Sequence, residues 1–205
     1  LAADAPESVR SVEALMHTAV MISLYDEEGR ALYRNPAARD AVRNPEQTLA
    51  GHIGEGASRL LAERLRAQGV ATLTLPVLTA AGPRWHELSA RSCRDAVTGQ
   101  AAVLVSEADV TLLKESEAQA NYLAVHDPLT GLPNRSHVRQ RFAEAVRDLP
   151  AGTEAALVLI DLDHFKDVND TLGHAVGDEL LVDVAQRLRA AVRRSDLVAR
   201  FGGDE

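Results

Sequence analysis

Two apolar runs that each deliver carboxylates at their end constrain this chain more than any other feature. Leu159-Ile160-Asp161-Leu162-Asp163-His164-Phe165-Lys166 sets Asp161 where a buried strand would emerge. Farther on, Arg200-Phe201-Gly202-Gly203-Asp204-Glu205 sets two more carboxylates on a glycine-opened turn. If the two runs are neighbouring strands, the carboxylates converge at one end of a sheet. Hard cations prefer oxygen ligands, so a divalent ion there could hold a triphosphate.

Composition narrows the remaining possibilities. At 205 residues, with 46% hydrophobic and 25% charged, the chain can build one large core or two small ones. A net charge of −8 argues against a general nucleic-acid or anionic-membrane binder. Aromatics are 3% of residues, so a bound base would be read by hydrogen bonds rather than on stacking platforms. The single Cys93 excludes an internal disulfide framework and fits a reducing, cytoplasmic compartment. No apolar run reaches the length of a membrane span. The chain opens Leu1-Ala2-Ala3 without an initiator Met, as a piece of a longer protein would, and that protein could carry a membrane anchor upstream.

The hydrophobic pattern divides the chain into residues 1–108, a linker helix over 109–125 and a second unit over 126–205. Ser8–His17 has the spacing of an entry helix with Val9, Val12, Leu15 and Met16 facing inward. Strands are expected at 19–25, 31–34, 70–78, 85–92 and 100–106. Gly29 supplies the positive φ of the first hairpin, and Asn35-Pro36 ends its second strand. Two strands, short helices and three antiparallel strands make an α+β order. Asp26-Glu27-Glu28-Gly29 ahead of Asn35-Pro36-Ala37, Trp85 after a glycine turn and Asp109-Val110-Thr111 at the exit resemble a PAS sensor domain. Its ligand is not legible. His17, His52 and His86 read as isolated surface or core residues rather than haem ligands. In the linker, Leu113, Ser116, Ala120 and Leu123 form a seam that suits either a homodimer or a solvated helix.

The second unit reads helix, strand, helix, strand. Asn134 or Ser136 caps a helix with Val138, Phe142 and Val146 inward. Residues 155–160 have the continuous apolar character of a buried central strand, 178–193 form an amphipathic helix, and 197–201 form the next strand. Asp161-x-Asp163 is not a calcium loop, because Phe165 and Lys166 stand where an oxygen ligand and a glycine are needed. The ordinary role of such carboxylates is to cap the following helix. The helix opening at Phe165-Lys166 presents backbone N–H groups suited to phosphate. Asn169 and Asp178 flank Gly173-His174-Ala175-Val176-Gly177. A carboxylate with an amide complements the donors and acceptor of guanine, although Asp178 is also placed like a helix cap. At Gly202-Gly203 the backbone can approach a ligand. One carboxylate of Asp204-Glu205 can then bind metal while the other assists a hydroxyl nucleophile.

Asp127 to Arg135, Asp161 to Asp170, Gly173 to Asp178 and Gly202 to Glu205 together resemble the amino-terminal half of a GGDEF domain, the diguanylate cyclase family. The whole is thus expected to be α+β: a PAS-like antiparallel sheet with short helices, a linker helix, then part of a cyclase-like α/β domain. The resemblance implies condensation of two GTP to cyclic di-GMP with Mg2+ or Mn2+, one GTP on each of two facing domains. It implies that Asp161, the Leu162 carbonyl and Glu205 bind metal. Phe165 and Lys166 would hold phosphate with Gly202 and Gly203 close by, Asn169 and Asp178 would read guanine, and Asp204 would lie near the attacking 3′-hydroxyl. Arg193 and Asp196 match the family's product-inhibition site, though arginine at a helix C-terminus is also favoured by the macrodipole. The family's phenylalanine after Glu205 and everything beyond it are absent, so this chain by itself is expected to be inactive, with an unpaired strand edge. The alternatives are a catalytically inactive receptor for GTP or cyclic di-GMP, or a sensor and dimerisation module.

Overall fold

The computed structural model describes residues 5–44 and 46–205. The chain divides into two compact units, Leu1–Glu115 and Ser116–Glu205. The first begins with α1 (Ala5–His17), followed by β1 (Met21–Asp26), β2 (Ala31–Arg34), α2 (Pro36–Ala41), α3 (Leu49–Ile53), α4 (Glu55–Gln68), β3 (Val70–Thr79), β4 (Gly82–Arg94) and β5 (Ala101–Asp109). The strands form one antiparallel sheet in the order β2-β1-β5-β4-β3. The α+β order expected from the pattern is present.

Alternation sets the sheet's buried face. Met21, Ser23 and Tyr25 point inward from β1, and Glu107 and Val105 from β5. Register then aligns Met21 with Glu107 and Glu107 with Leu88, and aligns Ser23 with Val105 and Val105 with Ala90. Helices α3 and α4 complete the core with Leu49, Ile53, Leu61 and Leu65. Leu61 and Leu88 are fully buried; truncating either to Ala would cost about 2–5 kcal/mol. Pro76, which cannot donate to a ladder, sits on the edge strand β3. The turn between β1 and β2 needs a left-handed residue, and Gly29 supplies it at φ 77° while its N–H donates to the Asp26 carbonyl.

Asn35 organises the start of this unit. Its Oδ1 accepts from the Ile22 and Ala38 N–H groups at 2.9 and 3.0 Å, and its Nδ2 donates to the Leu15 and Val20 carbonyls at 3.1 and 2.9 Å. One side chain therefore caps α2 and joins α1 to β1. The apolar face expected of α1 is not buried: Val9 and Val12 are 64% and 59% exposed. Spacing specified a face, but no described element covers it.

In the second part lie α5 (Thr111–Val125), whose first turns belong to the first unit, α6 (Arg135–Arg147), α7 (Phe165–Leu172) and α8 (His174–Ala191). Leu113 and Leu123 of α5 are exposed. Between α5 and α6, the Asp127 carboxylate accepts from the Thr130 N–H and hydroxyl at 2.9 and 2.7 Å, and Gly131 N–H closes on the Asp127 carbonyl. Asn134, not Ser136, caps α6, accepting from His137 N–H at 3.1 Å. Its Nδ2 donates to the Leu123 and Ala124 carbonyls, tying the end of α5 to the start of α6.

The two strands expected here do not form. Residues 155–160 adopt no regular structure, and Leu157, Val158 and Leu159 are more than half exposed. In 197–201 there is a single bridge, Asn134 to Arg200. A β-strand exists through its partners, and among the described residues neither segment has a ladder partner. Of the inward faces expected of α6 and α8, Val138 and Leu181 are buried, while Phe142, Val146 and Val192 remain substantially exposed.

Candidate functional site

The backbone around α7 turns sharply before the helix begins. His164 is the one described non-glycine residue with positive φ (63°), and it occupies the N-cap without a side-chain capping bond. Asp161 and Asp163 therefore do not cap α7, and both are exposed. Phe165 N–H donates to the Leu162 carbonyl at 3.2 Å, so the two backbone groups assigned to phosphate and metal bond each other here. Lys166 is exposed on the first turn, where the helix's positive end favours an anion.

α7 passes to α8 through Gly173, whose φ of 87° lets the chain reverse while its N–H caps the Asn169 carbonyl at 2.9 Å. The two helices then approach closely. A Cβ on Gly177 would lie 2.0 Å from Asn169 Oδ1 and 3.3 Å from the Phe165 ring. The absent side chain at Gly177 thus lets Asn169 lie against α8. Asp178 sits in the second turn of α8, with Gly173 at the N-cap, so it is not the cap its sequence position allowed. It is exposed.

The glycine-rich turn is held from two sides. Phe201 N–H donates to the Glu205 carbonyl at 2.8 Å, and Glu205 N–H to the Gly202 carbonyl at 3.0 Å. Arg200 donates from Nε and Nη2 to the Gly203 carbonyl at 3.0 and 2.7 Å, and from Nη1 to the Asp127 carboxylate at 3.1 and 3.2 Å. Asp127 is partly buried, which raises its pKa. Hydrogen bonds from the Thr130 N–H and hydroxyl and from Arg200 outweigh burial and hold it below the usual aspartate range. Asp127 and Arg200 thus bind the two motif segments to each other. Arg135 stacks over the Phe201 ring at 5.5 Å. The Arg193 and Asp196 backbones close a turn, with the Asp196 carboxylate accepting Arg193 N–H at 3.1 Å.

A cavity of about 850 Å³ brings Leu162, Asp204, Glu205 and Asp196 to one wall system with the apolar faces of α6 and α8. Asp161, Phe165, Lys166, Asn169 and Asp178 lie outside that lining. Among the described residues, Asp161 and Glu205 are not part of any group of three metal-capable side chains.

Sequence reasoning missed one polar cluster in the first unit. His52 of α3, His86 of β4 and Glu107 of β5 meet in the core, all three buried. His52 Nε2 lies 3.0 and 3.1 Å from the two carboxylate oxygens, and His86 Nδ1 bonds the same Oε1. Burial raises the Glu107 pKa, but the hydrogen bonds and charge of the two imidazoles lower it to about 2. Neither histidine is isolated. The available signal was strand phase: His86 and Glu107 share the inward face with Leu88 and Val105.

Comparison with known proteins places these observations. Residues 124–205 match the family model described as diguanylate cyclase, GGDEF domain. Diguanylate cyclase TpbB of Pseudomonas aeruginosa is 50% identical over 94 residues, covering 45% of this chain and 22% of that protein. The solved GGDEF domain of TpbB is 48% identical over 38% of this chain and 46% of that structure, with a TM-score of 0.35. The PAS domain of a Colwellia psychrerythraea protein covers 52% of this chain and 98% of that structure at 15% identity and a TM-score of 0.45, too distant to carry an argument. The chain spans less than a quarter of the length of TpbB. Over residues 124–205, the chain is thus similar to the GGDEF domain of diguanylate cyclases.

Proposed function

We propose that this chain is part of a diguanylate cyclase in which a PAS-like sensor (residues 1–108) acts through a linker helix (109–125) on a GTP-binding unit (126–205). The observation that carries the reading is the family match over 124–205 together with 50% identity to a diguanylate cyclase. Two GTP would be joined to cyclic di-GMP with release of pyrophosphate, in the cytoplasm, on two facing copies. Among the described residues, no helix is long and apolar enough to cross a membrane.

The donors assigned to a metal, the carboxylates of Asp161 and Glu205 and the Leu162 carbonyl, are all oxygen, which suits Mg2+ or Mn2+. When bound, such an ion neutralises phosphate charge. The protein's own groups do the positioning. The amino-terminal end of α7 and Lys166 attract the triphosphate, with Phe165 N–H exchanging its bond to Leu162 for a phosphate oxygen. Gly202 and Gly203 admit the ligand close to the backbone. Asp178 accepts from the two guanine donors, and Asn169, held against Gly177, donates to O6. Asp204 is half-buried and serves as the proton acceptor near the 3′-hydroxyl. Arg193 and Asp196 form the candidate product site.

Competition of GTP and ATP against a fluorescent guanine nucleotide tests the recognition step. GTP is expected to bind preferentially, and Asp178→Ala to weaken it by about 10–100-fold, the cost of a charge-assisted hydrogen bond. Equal binding of ATP and GTP, or an unaffected variant, would sink the guanine assignment.

A further inference from the structure

Three polar side chains in an apolar core need a reason. Around His52, His86 and Glu107 the inward positions are Leu88, Ala90, Val105 and Ile53. Apolar residues there would pack as well, and buried ionic groups commonly cost stability relative to apolar replacements. The three groups come from three separate elements, so no single local motif explains their meeting. Their chemistry is that of a transition-metal donor set: two imidazole nitrogens and one carboxylate, with ligand atoms all within 4.8 Å of one another. Tetrahedral ions with bonds near 2.0–2.2 Å need donors slightly farther apart than hydrogen bonds allow, so only a small spreading is required.

Two further observations bear on the site. His52 Nδ1 is buried and has no hydrogen-bond partner. Whether Nδ1 is protonated or not, this buried ring nitrogen has no partner among the described residues. The cluster therefore does not settle its own hydrogen bonding. There is also an approach: a surface cavity of about 360 Å³, lined by Arg43, Asn44, Gln47, Gly51, His52 and Leu78, opens beside His52.

We propose that the first unit contains a divalent transition-metal site, with His52 Nε2, His86 Nδ1 and the Glu107 carboxylate as protein ligands and a fourth position open to a small ligand. Zinc-class ions suit it, because borderline nitrogen donors dominate; Mg2+, which prefers an all-oxygen shell, does not. For the ion to take His52 Nε2 and His86 Nδ1 as lone-pair donors, the protons now shared with Glu107 pass to the other ring nitrogens, Nδ1 of His52 and Nε2 of His86. Bound to β4, β5 and α3 at once, it would stiffen the core of the proposed sensor independently of any nucleotide chemistry in residues 116–205.

Trp85, the sole tryptophan, adjoins His86 on β4 and provides a local reporter. The chain, stripped with EDTA, would be titrated with Co2+ while Trp85 fluorescence and visible d–d absorption are followed. The expected result is saturable quenching at one equivalent with bands of tetrahedral intensity. Glu107→Gln should weaken it at least about tenfold, the usual cost of a disturbed metal shell. His52→Gln/His86→Gln should abolish it, whereas Glu63→Gln, an exposed carboxylate on α4, should leave it unchanged. Should the double histidine variant fail to fold, the unaltered chain still decides: Zn2+ must raise its Tm and EDTA must reverse the rise. Absence of saturable quenching, no Tm response, or equal uptake by the Glu107 variant would overturn the proposal.

Discussion

Replacing Asn35 with alanine removes four hydrogen bonds from a side chain with no solvent exposure. Losing the cap on α2 costs about 1 kcal/mol. Leaving the Ile22 N–H unpaired adds about 1–3 kcal/mol, and the Leu15 and Val20 carbonyls together add about 1 kcal/mol more. The sum is about 4 kcal/mol, a large share of the stability of a domain this size. Urea unfolding followed by Trp85 fluorescence reads this unit alone. With a slope of about 1.5 kcal/mol per molar, the midpoint should fall by about 2.5 M. Asn35→Asp is the discriminating control. It keeps the acceptor for Ile22 and Ala38 but turns a buried charge toward two carbonyls, so it should be no more stable than the alanine variant. A loss under about 1 kcal/mol for Asn35→Ala, or near-normal stability for Asn35→Asp, would refute the assignment of Asn35 as the organising residue.

Two other outcomes follow from the second part of the chain. Because Asp127 has a lowered pKa in the folded state, its contribution is present above the ordinary aspartate range and is lost as pH falls through the lowered value. Asp127→Asn should therefore flatten the acid limb of helix stability measured by circular dichroism, with Arg200→Ala doing the same; an unchanged limb would count against the Asp127–Arg200 link. A charge at Leu113 or Leu123, both exposed on α5, should shift a dimer toward monomer in light scattering without unfolding either unit. Unchanged mass would remove the seam as a dimer contact.

Local chemistry was legible in the sequence wherever one segment carries its own cause. Asn35-Pro36 ends β2, Gly29 makes the first hairpin, Asn134 caps α6, and the helix opens at Phe165 as expected. What needed a partner was not legible. The apolar run at 155–160 announces a strand, but a ladder requires a second backbone, and among the described residues none is paired with it. The apolar stripe of α1 likewise names a face without naming a cover. For the candidate site, motif residues were visible because glycine and carboxylate spacing is local. The closeness of Asn169 to Gly177 and the link from Arg200 to Asp127 were not, since both depend on contacts across the unit. His52, His86 and Glu107 lie far apart in sequence, and only sheet register and the placement of α3 bring them together.

We propose that residues 124–205 contribute a GTP-handling part of a diguanylate cyclase. The most direct test is cyclic di-GMP production from GTP and magnesium by this chain, alone and fused to the portion of the TpbB GGDEF domain that it does not cover. The fusion should form product, and Asp204→Ala or Glu205→Ala in this chain's portion should abolish it. A correctly folded fusion that retains GTP but makes no cyclic di-GMP would contradict the enzyme reading and favour a nucleotide receptor.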